Sequence, residues 1–235
     1  MTDKQAIRER VWDRLEAEGY ARFPFPPHGR ITNFEGAKEA AERALALPEL
    51  ADADAVKANP DAPQLPLRRG LLKQGTTVYM AVPRLREADC FVELDPDTLD
   101  DLDAAPTVSH MAEHGRQVGP EDVPELDAIV LGSVAVTTEG ARIGKGEGYS
   151  DLEYAILREL DLVDDDTPTV TTVHDTQVVD DEVAVGDHDV PLGVICTPTR
   201  TIRTDAGAKP AGLLWDDLSE ERIDEIPVLD ELRSP

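Results

Sequence analysis

Apolar residues first recur at helical spacing. Within residues 3–19, Ile7, Val11, Trp12 and Leu15 fall at i, i+4, i+5 and i+8, which predicts a helix with one apolar face that stops near Gly19. FPFPPHGRITNFEGA (residues 23–37) breaks the period: its prolines and glycines predict a constrained loop leading into a helix over 36–47, with Asn33 as a candidate cap. Residues 52–60 read as a short strand or loop, 67–75 as a helix closed by Gly75, and 76–83 as a β-rich run ending at Pro83. Residues 95–125 are acidic and punctuated by proline, with room for one short helix.

The second half is more regular. LDAIVLGSVAVTTEG (126–140) is almost continuously apolar, as expected of one strand buried on both faces of a parallel sheet. An amphipathic helix follows at 151–163, with Leu152, Ala155, Ile156 and Leu160 inward; a further strand ends at His174 and Asp175, and another spans 192–204. Alternation of strands and helices predicts an α/β fold, a mainly parallel sheet flanked by helices, in one domain over residues 1–235.

Charge changes the picture. The 235 residues carry 49 acidic and 23 basic side chains, a net charge of −26, and the only lysines are Lys4, Lys38, Lys57, Lys73, Lys145 and Lys209. Such a surface repels nucleic acid and anionic membrane and is self-repulsive unless screened, the pattern of a salt-rich, halophilic cytoplasm. No apolar run reaches the roughly 18 residues of a membrane span. The N-terminal stretch is charged rather than signal-like, so a cytoplasmic location is expected. Cys90 and Cys196 match no zinc or CxxC spacing and read as core residues. His110 and His114 stand at i, i+4 without the Glu of an HExxH motif, a weak metal signal.

One stretch asks for chemistry. GARIGKGEGYSD (140–151) places Gly144, Gly146 and Gly148 at alternate positions beside Arg142, Lys145 and Asp151, between the predicted strand and the helix. Glycine backbones aim N–H groups at an anion and the helix start adds its dipole, so phosphate is the expected guest, although the loop is neither a Walker A nor a GxGxxG motif. Two more cations, Lys4 and Arg8, lie one turn apart on the first helix. Arg84 and Arg86 follow a strand's end, where open α/β sheets bind ligands. His28, Arg30, Asn33 and Glu35 cluster on the proline-rich loop.

Taken in order, DKQAIR, HGRITNFEGA, NPDAPQLPLR, VPRLR, LGSVAVTTEGARIGKGEGYSDLEYA, TVTTVHDTQVV, DHDV and ICTPTR resemble the 5-formyltetrahydrofolate cyclo-ligase family, also called methenyltetrahydrofolate synthetase, and especially its domain-containing branch. The resemblance implies a NagB/RpiA/CoA-transferase-like fold. It also implies ATP- and Mg²⁺-dependent cyclisation of a folate substrate, 5-formyltetrahydrofolate, to 5,10-methenyltetrahydrofolate through a phosphorylated formyl oxygen. On it, Lys4, Arg8, Gly144, Gly146 and Gly148 hold ATP phosphates, Arg142, Lys145 and Tyr149 serve the phosphoryl transfer, and Asp151 is the magnesium partner. Asp61 falls where the family's folate-contacting glutamate stands, and Arg84 is assigned with it to substrate. Where family loops read Gly-Gly-Gly-Tyr-Tyr-Asp-Arg, this chain has Glu147, Ser150 and Leu152. The competing expectation is a nucleotide- or RNA-associated protein that keeps the fold without folate turnover, against which the −26 charge argues for the RNA case.

Overall fold

A computed structural model describes residues 2–233. Ten strands, β1 (Ala55–Ala58), β2 (Thr77–Ala81), β3 (Phe91–Leu94), β4 (Arg116–Val118), β5 (Ala128–Val130), β6 (Ala135–Val136), β7 (Arg142–Ile143), β8 (Thr169–Thr172), β9 (Val194–Cys196) and β10 (Thr201–Arg203), alternate with helices. The helices are α1 (Lys4–Ala17), α2 (Ala37–Leu45), α3 (Pro48–Ala51), α4 (Leu65–Gln74), α5 (Met111–His114), α6 (Tyr149–Glu159), α7 (Glu220–Glu225) and α8 (Pro227–Arg233). Eight strands form one sheet in the order β10-β9-β8-β5-β1-β2-β3-β4, with β6 and β7 as a separate hairpin. The five strands from β9 to β2 run parallel, β10 and β3 flank them antiparallel, and β4 pairs antiparallel with β3 at the edge. The expected α/β class and mainly parallel sheet are therefore present. The chain leaves β1 toward β2 on one side and returns through β5 on the other. A topological switch point thus lies between β1 and β5, the place where such sheets open a crevice at their carboxyl ends.

Three local expectations give way, each for a physical reason. The run 126–140 is not one strand. Gly132 N–H is taken by Asn59 Oδ1 (3.1 Å) and Gly132 C=O by Arg142 Nη1 (3.0 Å), so the backbone leaves the ladder after Leu131 and re-forms as β6 pairing with β7. Residues 192–204 likewise fold back as β9 and β10, around a turn in which Thr197 Oγ1 accepts the Arg200 N–H at 3.0 Å. Asn33 does not cap α2: its Nδ2 donates to Phe23 C=O at 2.9 Å, while Gly36 enters the helix at φ 86°.

The main core is buried aliphatic packing around the parallel strands, and both cysteines lie inside it. A second cluster matters more for function. Asp3 caps α1 by accepting Ala6 N–H at 3.1 Å, and Ile7, Val11, Trp12 and Leu15 pack against Val134, Ala135 and Ile143 of the β6–β7 hairpin. Burying each such side chain is worth roughly 1.5–3 kcal/mol, enough to fix the register of α1 on the hairpin. That register carries Lys4 and Arg8 to the glycine loop.

A candidate nucleotide and folate site

The loop after β7 is held from several directions. Gly148 starts α6 at φ 71° and Gly146 sits at φ 106°, a left-handed conformation that favours glycine; a Cβ on Gly146 would also reach 3.4 Å from Arg8 Cζ. Arg8 Nε donates to Gly144 C=O at 2.7 Å. Arg142, only 6 % exposed, donates through Nη1 to Gly132 C=O and pairs through Nη2 with Asp151 Oδ1 at 2.5 Å. Its Nε is buried without a partner.

These residues line a cavity of about 240 Å³, together with Lys4, Asp61, Lys145, Gly148, Tyr149 and Asp189. Every predicted site residue except Arg84 is on this wall. Arg84, with its backbone in the left-handed region at φ 62°, lines an adjoining cavity of about 710 Å³ whose wall also includes Asp61, Lys145, Tyr149, His28 and Pro83. Asp61, Lys145 and Tyr149 thus stand where the two spaces meet. The remaining candidates have other work: His174 caps a 3₁₀ turn and stacks on Tyr20 at 4.2 Å, and Glu35 pairs with Arg22 at 2.8 Å.

The small cavity is electrically balanced. Lys4, Arg8, Arg142 and Lys145 face Asp61, Glu147, Asp151 and Asp189. Lys4 pairs with Asp189 at 2.6 Å and Lys145 with Glu147 at 2.8 Å. Burial alone would raise Asp189, but the Lys4 ammonium and the Gly186 N–H hold it below the ordinary aspartate value. Asp61 differs, since its carboxylate makes no hydrogen bond among the described residues. Burial raises it to about 6, against the pull of Lys145 and Arg68.

The sign of that shift sets a pH dependence. Between about 4 and 6 the folded state holds a proton at Asp61 that the unfolded chain has lost, so stability falls as pH rises through this window. The difference in urea-unfolding free energy between wild type and Asp61→Asn should therefore move against wild type from pH 4 to 7. The limit is about 3 kcal/mol for a shift of about two units. A pH-independent difference would place the Asp61 carboxylate in solvent.

Beneath the junction lies a network with less outward sequence signal. Lys57 on β1, 1 % exposed, pairs with Glu153 on α6. Asn59 donates to Ser150 Oγ (3.0 Å) and Glu153 Oε2 (3.1 Å). Arg68 binds the carbonyls of Asn59 (2.6 Å), Pro60 (3.2 Å), Asp61 (3.0 Å) and Pro106 (3.0 Å); burial lowers it to about 10, still charged at neutral pH. This buried guanidinium shapes the turn that presents Asp61.

A sequence model of the 5-formyltetrahydrofolate cyclo-ligase family matches residues 1–198. The chain belongs to that family. Mouse and bovine methenyltetrahydrofolate synthase domain-containing proteins are 44 % and 43 % identical to it, each over 98 % of this chain. The chain spans 63 % and 62 % of their respective lengths. In fold it is similar to the solution structure of Aquifex aeolicus 5,10-methenyltetrahydrofolate synthetase. That similarity has a TM-score of 0.53 at 21 % identity and covers 87 % of this chain and 94 % of the other. Among the described residues, no helix is long and apolar enough to cross a membrane.

Proposed function

We propose that this cyclo-ligase family member converts 5-formyltetrahydrofolate to 5,10-methenyltetrahydrofolate at the expense of ATP. The observation that carries the reading is convergence. Cations from α1, β7 and the glycine loop meet on one small polar cavity, and that cavity shares Asp61, Lys145 and Tyr149 with a second large enough for a fused pterin ring. The ATP phosphates belong in the first and the folate in the second. The γ-phosphoryl group passes to the formyl oxygen as its bond to ADP breaks; N10 then attacks the formyl carbon, and phosphate leaves as the ring closes.

A phosphoryl group in transfer carries charge on its peripheral oxygens, so the protein's task is positioning and electrostatic stabilisation. Arg142, which lines the cavity, has a buried Nε–H without a partner, Lys145 offers a point charge and Arg8 a second guanidinium. A balanced wall does not favour a bare triphosphate, whereas a nucleotide carrying Mg²⁺ brings much of its own neutralisation. Mg²⁺ commonly binds one or two carboxylates plus substrate phosphates. Asp61 and the second oxygen of Asp151 suit that coordination, and the ion would supply further charge neutralisation at the phosphates.

The test is conversion of 5-formyltetrahydrofolate, followed by the near-ultraviolet absorbance of the methenyl product, with and without ATP and Mg²⁺ across a salt series. Conversion that requires both supports the reading. MgATP binding without conversion at any salt would replace it with a nucleotide-binding role. Lys145→Ala should weaken MgATP binding by more than about tenfold, because a charge-assisted hydrogen bond is worth about 1.5–3 kcal/mol.

Glu147 acts in the opposite sense. Its carboxylate occupies Lys145 at 2.8 Å, so an incoming phosphate must displace it. Exposed pairs are worth up to about 1 kcal/mol, so Glu147→Gln should tighten MgATP binding up to about fivefold in calorimetry. Weaker binding by the variant would mean that Glu147 holds the ligand.

A further inference from the structure

Residues Lys145–Gly148 of the cradle are all exposed, so this stretch lacks the packing that gives a loop one shape. Two arginines grip it instead. At one end Arg8 Nε holds Gly144 C=O at 2.7 Å. At the other, Arg222 Nη2 donates to Glu147 C=O at 3.2 Å, and the same guanidinium lies over the Tyr149 ring with Cζ 4.0 Å from its centroid. Arg222 belongs to α7, outside residues 1–198 that match the family model.

The helix presenting it is firmly seated. Ile223, Ile226, Val228 and Leu229 are buried in the main core, Ser219 Oγ accepts the Arg222 N–H at 3.2 Å, and Arg233 closes on Glu220 at 2.7 Å. A guanidinium on such a base contributes a planar donor fork and a face that stacks on an aromatic ring, which one ammonium cannot reproduce.

We propose that Arg222 is a positioning residue for nucleotide binding: the C-terminal segment clamps residues 147–149 so that the cradle is formed before its ligand arrives. The proposal rests on the phosphate-cradle reading. Loop ordering that is already present need not be supplied by the ligand, so the clamp acts on nucleotide affinity.

The experiment compares the 235-residue wild type, Arg222→Ala, Arg222→Lys and Lys145→Ala by MgATP calorimetry and by hydrogen exchange of the ligand-free proteins. In Arg222→Ala, exchange at residues 146–149 should rise while the β-sheet amides stay protected, and MgATP affinity should fall about tenfold. Arg222→Lys keeps a charge near Tyr149 but loses the fork, so it should recover part of both. If Arg222→Ala leaves loop exchange and affinity unchanged while Lys145→Ala loses binding, the clamp is wrong and the cradle stands. If wild type binds no MgATP, the cradle reading fails, and loop exchange in Arg222→Ala alone decides whether the arginine orders the loop. Loss of protection throughout the sheet in both Arg222 variants would overturn the proposal in favour of a purely structural residue.

Discussion

Lys57→Met should lower the unfolding free energy by about 3–5 kcal/mol in urea denaturation, among the largest stability losses expected for a single change in this chain. The methylene stem is nearly preserved, so the loss is not a cavity effect. It comes from Glu153, left in the core with only Asn59 Nδ2 at 3.1 Å as a donor among the described residues. Two charges buried together cost desolvation that their attraction and hydrogen bonds roughly offset, whereas one buried alone has nothing to offset it. The double variant Lys57→Met/Glu153→Leu should therefore regain most of the loss. Equal instability of single and double variants would show that packing around Lys57, not charge, was at stake. The double variant should also loosen the site, because Glu153 is one of the two acceptors that orient the Asn59 amide, and Asn59 Oδ1 in turn holds Gly132 N–H.

This pair also marks where sequence reading runs out. The parallel core was legible because buried strands are apolar for several residues and the helices between them keep their period. The same logic joined β5 to β6: every residue from Val134 to Val136 is apolar, and what ends the strand is a side chain from 73 residues earlier binding Gly132. The glycine loop, Lys4 and Arg8 stood out because positive-φ positions and scarce cations are local signals. Their convergence rests on the packing of α1 against the hairpin, which no local pattern reports. Lys57 offered a faint signal, one of six lysines placed inside a short apolar strand. Arg222 offered none, since an arginine in an acidic tail looks like any solvated charge until α7 folds onto the loop.

Arg142→Ala should cost about a thousandfold in kcat/KM, more than any other cation of the cradle. Lys145 and Lys4 are 40 % and 26 % exposed in their side chains, and water can stand in for part of what they do. Arg142 is enclosed at 4 %, its Nη groups spent on Gly132 C=O and Asp151, and its Nε–H left over beside the small cavity. A preorganised donor aimed at developing charge is commonly worth a hundredfold to a thousandfold. Removing this one also loosens Asp151, whose Oδ1 would keep only the Val190 N–H at 3.0 Å among the described residues, and so unsettles the carboxylate proposed to hold Mg²⁺. The two effects can be separated. Arg142→Ala/Asp151→Asn deletes the donor and the carboxylate proposed to hold Mg²⁺ together, and should fall about tenfold below Arg142→Ala. Arg142→Lys keeps the charge while losing the fork, and should fall between wild type and Arg142→Ala, with the deficit mainly in kcat. A double variant no worse than Arg142→Ala would mean that Asp151 acts only through holding Arg142; full activity in Arg142→Ala would remove the guanidinium from the chemistry and leave it a brace between the β5–β6 turn and α6.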